Sequence, residues 1–218
     1  TRSSHETTRQ LLTLAASSRV VFEQMRSDLR PDCDFTASGK LVLYASAAAL
    51  AGAERQMELQ RGMDPGSGQR LATAQECVTI EPALEHYRAR ITGAIYTPGE
   101  CAADCFKVCT ALAQALQARG VRFLPNSAVT GFDVRSQRVA AVQTSSGDVE
   151  ADAFVMALGT ASHTLGKALG AYLPVYPLKG YSITLDLIPG NGKAPTVSVT
   201  DSARKVVFAR IGSRLRVA

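Results

Sequence analysis

The chain has little of what marks several common classes of protein. It has no Trp, only 6% aromatic and 20% charged residues, and 46% apolar residues in a length of 218. That composition is normal for a soluble globular protein and excludes the disordered, collagen-like and disulfide-scaffold classes. No stretch approaches the roughly 18 unbroken apolar residues of a membrane-spanning helix. The length allows one large domain or two small ones.

The excess of positive charge is also small. Lys and Arg number 24 against 19 acidic residues, which gives a net charge of +5. Five of the cations lie in the last fifteen positions, and elsewhere the charges are mixed. Nucleic-acid binders usually have a denser basic face with interleaved aromatic residues. We therefore expect no nucleic-acid partner.

The motifs of several enzyme classes are missing. Residues 66–68 and 190–192 begin a G-x-G, but neither has the third glycine or the strand-to-helix position of a dinucleotide fingerprint. The chain has no P-loop and no G-x-S-x-G. The three histidines, His5, His86 and His163, lie in no nucleophile pattern and favour surface or capping roles. We assign no catalytic side chain from these patterns.

The five cysteines are Cys33, Cys77, Cys101, Cys105 and Cys109. An odd number without a signal peptide favours a reducing compartment, although a leader ahead of residue 1 stays open. The last three follow each other at four-residue spacing, which places them on one stripe of a helix. Zinc sites usually pair C-x-x-C units instead. We predict inward-packed thiols there and no metal site.

Hydrophobic periodicity predicts helices alternating with strands in the middle of the chain and strand-rich sequence around it. Helices are predicted at 4–30, 47–61, 102–119 and 161–169, with a short one after Thr73 and a loop at 62–68. Strands are predicted at 40–46, 91–97, 121–124, 128–134, 138–144, near 149, 154–158, 178–188, 195–200, 204–210 and 213–217. The apolar run 154–158 suits a strand covered on both faces. This alternation favours two interleaved lobes.

Two short segments have a pattern that fits a ligand. Residues 157–159 (Ala-Leu-Gly) precede a helix, where a glycine lets the backbone approach a ligand and free N–H groups attract an anion. A tight turn without a ligand explains the same pattern equally well. Residues 176–182 (YPLKGYS) enter an alternating strand, and a Tyr at such a place packs more often than it catalyses.

The segment YPLKGYS, preceded by ADAFVMALGT, resembles the bacterial FAD-dependent D-amino acid dehydrogenases of the D-amino acid oxidase-like flavoprotein family. The likeness extends over nearly the whole chain, through residues 80–84, 92–98, 120–123 and 205–217. It implies an α/β (α+β) fold, with a partial domain of the FAD/NAD(P)-binding type interleaved with an antiparallel-sheet substrate domain. The implied boundaries are 1–97 for a substrate-domain part with N-terminal helices, 98–172 for the partial FAD-binding domain and 173–218 for substrate-domain strands.

The resemblance also implies site residues. The adenine of FAD would contact the backbone of one strand residue, and the pyrophosphate and ribose would contact the glycine step. These cofactor-binding residues are Val129, Ala157, Leu158 and Gly159. The residues implied near the flavin or the substrate are Lys179, Gly180, Tyr181 and Arg210.

The function implied by the resemblance is the oxidation of D-amino acids to 2-oxo acids and ammonia. Hydride would pass to FAD and electrons to a respiratory quinone, in a cytoplasmic protein able to associate peripherally with the inner membrane. The alternatives are an oxidase of glycine or sarcosine and a non-catalytic folded fragment or interaction module. Because members of this family are longer, the chain is expected to be a central fragment that binds FAD weakly or not at all on its own.

Overall fold

The computed structural model describes residues 2–61, 68–190 and 192–218, with side chains from Glu6 onward. Most of the predicted loop at 62–68, the middle residue of the 190–192 pattern and the side chain of His5 lie outside the described residues. The chain divides into two compact units. Unit 1 comprises Thr1–Ala118 and Tyr181–Ala218, and unit 2 comprises Arg119–Gly180.

Five α-helices lie in the described residues. They are α1 (Arg2–Leu29), α2 (Ala47–Arg61), α3 (Ala74–Ile80), α4 (Cys105–Ala118) and α5 (Ala161–Ala168), and a 3₁₀ helix covers Pro82–Arg90. The start of α3 confirms the predicted capping box. The Thr73 hydroxyl accepts from the Glu76 N–H at 3.2 Å, and the Glu76 carboxylate accepts from the Thr73 N–H at 2.7 Å.

In the described part of the chain, ten strands form two sheets. The strands are β1 (Lys40–Tyr44), β2 (Arg70–Ala72), β3 (Gly93–Thr97), β4 (Val129–Arg135), β5 (Arg138–Thr144), β6 (Gly147–Glu150), β7 (Ile183–Asp186), β8 (Ser198–Asp201), β9 (Val206–Ile211) and β10 (Arg214–Val217). Unit 1 holds a seven-stranded sheet in the order β2-β3-β1-β8-β9-β10-β7. Only the β1–β8 pair is parallel, and the other pairs are antiparallel. The mixed α/β fold class that the sequence predicts is confirmed.

The core of unit 1 lies on one face of this sheet. Leu41 is paired with Val199 in the register of β1 and β8, and both are buried with Leu43 beneath α3 and the 3₁₀ helix. Because strand side chains alternate, the intervening residues face the other side of the sheet, where α2 buries Met57. The sheet is therefore covered unequally on its two faces.

A buried carboxylate ties the 3₁₀ helix to the start of β8. Glu81 is only 2% exposed. Its Oε2 accepts hydrogen bonds from the Thr196 N–H (2.7 Å), the Thr196 hydroxyl (2.9 Å) and the Val197 N–H (2.9 Å). Its Oε1 accepts from the Ala83 N–H at 3.0 Å, which caps the 3₁₀ helix. These contacts hold together segments more than a hundred residues apart in the chain.

Unit 2 has a small core. Strands β4, β5 and β6 form an antiparallel meander, and α5 packs against β4. In residues 119–180, all of which the structure describes, Ala141 is the only buried apolar side chain. Large apolar side chains stay open to solvent in the same unit, with Val155 93% and Leu178 98% exposed. Apolar burial therefore contributes little to the stability of this unit.

Three predicted strands differ from the structure. Residues 121–124 and 154–158 form no strand, because no described strand pairs with them, and the run 154–158 is not covered on both faces. The strand predicted at 178–188 shortens to β7, an edge strand whose four residues are all exposed. A continuous apolar run indicates burial, but it does not specify which neighbour supplies that burial.

The prediction of inward-packed thiols along α4 was wrong. Cys101 precedes α4 and is exposed. Cys105 and Cys109 are exposed because the adjoining side of α4, with Val108 and Ala111, is the side that is partly buried. The sulfur atoms of Cys105 and Cys109 lie 4.0 Å apart. In the part of the chain described, no group of three His, Cys, Asp or Glu side chains could hold a metal ion. Nor is any helix of that part long and apolar enough to cross a membrane.

Candidate functional site

A charged cluster in unit 1 joins the start of α4 to β10. Asp104 caps α4, and its Oδ1 accepts from the N–H groups of Phe106 (3.0 Å) and Lys107 (3.2 Å). Its Oδ2 accepts from the Arg214 guanidinium at 2.7 Å. The Lys107 N–H and then the Arg214 guanidinium lower the pKa of the Asp104 carboxyl. Asp104 is therefore an anion that holds both a helix end and a strand.

A second carboxylate extends the cluster. Asp34 lies 3.0 Å from the Lys107 ammonium and 3.9 Å from the Arg214 guanidinium, measured to its Oδ2. The tight turn between β9 and β10 packs against it. Gly212 there has a φ of +58°, and a Cβ at this position would lie 2.8 Å from Asp34 Oδ1. The turn thus requires glycine for both conformation and space.

A cavity of about 160 Å³ opens beside this cluster, between the start of α4 and strands β7, β9 and β10. Thr184, Arg214 and Arg216 line it, on one face of the sheet. Arg216 donates to the Ser182 hydroxyl at 3.1 Å, and no described carboxylate forms an ion pair with it. A guanidinium with only a neutral partner is suited to bind the carboxylate of a ligand.

The predicted substrate residues divide between the two units. Lys179 and Gly180 are exposed at the end of unit 2, and Tyr181 is 79% exposed at the start of the returning segment of unit 1. Arg210 lies in β9 opposite Leu215, half-buried. Strand alternation therefore turns Arg210 to the opposite face of the sheet from the 160 Å³ cavity.

Sequence reasoning missed Asp104, Arg214 and Arg216 as a cluster. The two arginines were visible only as part of a basic C-terminal stretch. Asp104 and Arg214 lie 110 residues apart in the chain. The available signal was Asp104 near the start of the helix predicted at 102–119, since Asp is a preferred N-cap residue.

The predicted cofactor residues all lie in unit 2. Val129 begins β4, opposite Thr144, and is half-buried. Residues 157–159 form the turn before α5 and are exposed. The Leu158 N–H donates to the Ser162 hydroxyl at 3.2 Å, which closes this turn.

The turn before α5 has the open backbone that a phosphate group needs. Gly159 has a φ of +57°, and no heavy atom lies within 4 Å of the place a Cβ would take. Within the described residues, no acceptor bonds the N–H groups of Gly159 and Thr160. Free N–H groups at a helix start bind anions. These residues therefore fit the pyrophosphate of a dinucleotide cofactor.

His163 fastens the segment that follows α5. Its Nδ1 lies 2.6 Å from the Leu173 carbonyl oxygen. Its ring packs against Tyr172 and Tyr176, with centroid distances of 6.3 and 5.7 Å. This histidine is a structural contact for the approach to the segment 176–182.

Comparison with known proteins decides the family. The family described as DAO, FAD dependent oxidoreductase, matches residues 2–218. The chain belongs to this family. Its cofactor is therefore FAD, and the resemblance read from the segment 176–182 is confirmed.

Curated relatives share much of the sequence. D-amino acid dehydrogenase 2 of Ralstonia nicotianae is 44% identical over 97% of this chain and 51% of its own length. A D-amino acid dehydrogenase of Rhizobium johnstonii is 35% identical over 95% of this chain and 49% of its own. The chain thus spans about half the length of the curated relatives it matches.

Solved flavoenzymes share the fold. Glycine oxidase from Geobacillus kaustophilus superimposes with a TM-score of 0.76 at 25% identity, over 94% of this chain and 54% of its own. L-proline dehydrogenase from P. horikoshii gives a TM-score of 0.79 at 19% identity, over 93% of this chain and 53% of its own. The second likeness concerns the fold alone.

Proposed function

We propose that this FAD-dependent oxidoreductase chain serves the oxidation of D-amino acids to 2-oxo acids and ammonia. The observation that carries the proposal is the 44% identity with a D-amino acid dehydrogenase over 97% of the chain. FAD supplies the hydride acceptor when it is bound, and the protein supplies orientation and electrostatics. The proposal includes a respiratory quinone as the final acceptor and a cytoplasmic site, peripheral on the inner membrane.

The proposed cofactor contacts are Val129, Ala157, Leu158 and Gly159. Support comes from the turn before α5, whose open N–H groups and left-handed glycine suit the close approach of a phosphate. We also propose that residues 98–172 form the cofactor part. The flanking segments, 1–97 and 173–218, would then form the substrate part.

A matched pair of glycine variants tests the cofactor contact. Gly159→Ala places a Cβ at a φ of +57°, and Gly170→Ala places one at a φ of +72° just beyond the other end of α5. Both positions have no heavy atom within 4 Å, so the backbone strain is similar, about 1 kcal/mol. In the full-length protein, we expect Gly159→Ala to retain less FAD than the wild type and Gly170→Ala to retain as much as the wild type. Equal retention in the two variants would remove Gly159 from the cofactor site.

The proposed substrate contacts are Lys179, Gly180, Tyr181 and Arg210. The cation Lys179 and the exposed Tyr181 hydroxyl supply groups that pair with an amino acid's carboxylate. The chain needs no side-chain base in this scheme if the substrate amine arrives neutral. The residues then bind and orient the substrate and exclude water.

Steady-state assays of the full-length protein test the proposal. We expect reduction of an artificial dye with D-alanine, little reduction with L-alanine, and little hydrogen peroxide. If no D-amino acid supports reduction of the dye, the proposed function is contradicted.

A second candidate is an oxidase of glycine or a related amine, which the fold match to glycine oxidase supports. Peroxide formed in proportion to glycine consumed would favour this candidate. A protein that retains FAD but oxidises none of these amines would favour the non-catalytic alternative.

A further inference from the structure

Unit 1 also contains a cavity with a largely apolar lining. Its volume is about 400 Å³, and it opens in unit 1 on the sheet face that carries α3 and the 3₁₀ helix. This face is opposite to the one with Arg214 and Arg216, because Phe208 and Val206 alternate with Ile211 along β9. The apolar lining includes Leu43, Leu84, Pro195, Val199, Val206 and Phe208. A volume of this size is typical of small-molecule sites.

One wall of the cavity is a fixed polar group. Asp201 is 7% exposed, and its Oδ2 accepts from the Tyr87 hydroxyl at 2.7 Å and from the Arg204 guanidinium at 2.8 Å. Its Oδ1 accepts from the N–H groups of Ala203 and Arg204, both at 3.0 Å. Burial acts to raise the pKa of Asp201, but the bonds from Tyr87 and Arg204 lower it overall. Asp201 and Arg204 therefore form an internal pair.

The cavity also has two cations without an acidic partner. Arg90 and Lys193 line it, and no described carboxylate lies within ion-pair distance of either. The Arg90 guanidinium lies 6.0 Å from the Tyr87 ring, which positions it at the cavity. The charges of Asp201 and Arg204 cancel each other. The apolar lining of the cavity therefore lies beside two positive charges, those of Arg90 and Lys193, that no described carboxylate neutralises.

We propose that this cavity binds a small amphipathic carboxylate. The apolar body packs against Phe208, Val206 and Leu84, and the carboxylate pairs with Arg90 and Lys193. A neutral apolar molecule leaves both cations without partners, and inorganic phosphate leaves the apolar lining unused. A straight-chain fatty acid and a 2-oxo acid with an apolar side chain both have this chemistry.

The test measures binding by isothermal titration calorimetry to the full-length protein. The probes are octanoate for the fatty acid, phenylpyruvate for the 2-oxo acid and 1-octanol for an uncharged body. We expect binding of at least one carboxylate and at least tenfold weaker binding of 1-octanol. Binding of octanoate alone identifies the fatty-acid source, and binding of phenylpyruvate alone identifies the 2-oxo acid. Failure of both carboxylates to bind would overturn the proposal.

Variants locate the binding. The double variant Arg90→Gln and Lys193→Gln is expected to weaken carboxylate binding about tenfold or more, since it removes both charge-assisted partners. Arg216→Gln changes the other sheet face and is expected to leave this affinity unchanged. Loss of binding in Arg216→Gln with no effect of the double variant would place the ligand elsewhere and contradict the proposal.

Filling the cavity with a larger side chain gives a second test of the binding site, one that does not depend on charge. Ala83 lines the cavity on the 3₁₀ helix, so Ala83→Leu is expected to abolish binding by occupying the space. Ala89→Leu, at an exposed position of the same helix outside the cavity, is the matched control. Thermal unfolding confirms that both variants fold. Unchanged binding in folded Ala83→Leu would contradict the proposal.

Discussion

Replacing Glu81 tests how unit 1 is held together. In Glu81→Ala the Val197 N–H stays buried without an acceptor, which costs about 2 kcal/mol. The donors on Thr196 and Ala83 regain water, so each of these lost bonds costs about 0.5 kcal/mol. With three such bonds, the expected loss in the free energy of unfolding is about 3.5 kcal/mol.

Urea unfolding followed by circular dichroism measures this loss. With a typical slope of about 2 kcal/mol per molar urea, the midpoint falls by about 1.8 M. Glu81→Gln keeps one acceptor oxygen, and its loss is expected to be about half as large. Glu85→Ala is the control, because Glu85 is exposed and its ion pair is with Arg88 on the same 3₁₀ helix. A loss below about 1 kcal/mol in Glu81→Ala would refute the role of this carboxylate.

Three further predictions concern the charged cluster, the thiols and unit 2. Because the pKa of Asp104 is lowered, its contribution to stability is present above its unfolded pKa and is lost as the pH falls through its folded pKa. Unfolding midpoints of Asp104→Asn are therefore expected to converge with wild type at acid pH, and a constant difference would contradict this. Burial raises the pKa of the Cys77 thiol to about 11, so a thiol reagent at pH 8 is expected to label the three exposed cysteines promptly and Cys33 and Cys77 only on unfolding. Amide hydrogen exchange is expected to be faster throughout residues 119–180 than in β1 and β8, and equal protection would show a core that the structure lacks.

Local signals in the sequence predicted much of the fold. The capping box at Thr73 identified the start of α3, and alternating strands with a turn identified the β4–β5 hairpin. These features depend on neighbours a few residues away. The side of α4 that packs inward depends on its contacts with α1, so the three-thiol stripe was placed wrongly. The run 154–158 failed as a strand because a strand also needs a pairing partner.

The candidate site was harder to predict from the sequence than the fold. The contact between Asp104 and Arg214 joins distant segments, and no local pattern encodes it. Segment 176–182 identified the family because it is specific, and the match over residues 2–218 confirmed it. The roles of Val129, residues 157–159 and residues 179–181 stay predictions, with the turn at Gly159 the best supported by geometry.

Oxidation of D-amino acids by the bound cofactor is tested by anaerobic reduction of the flavin in the full-length protein. The visible absorbance of the flavin is followed after addition of D-alanine, of L-alanine and of D-alanine deuterated at its α-carbon. We expect a fast loss of absorbance with D-alanine, a slower loss with the deuterated form and little change with L-alanine. Unchanged absorbance with every D-amino acid tried would contradict the proposed oxidation.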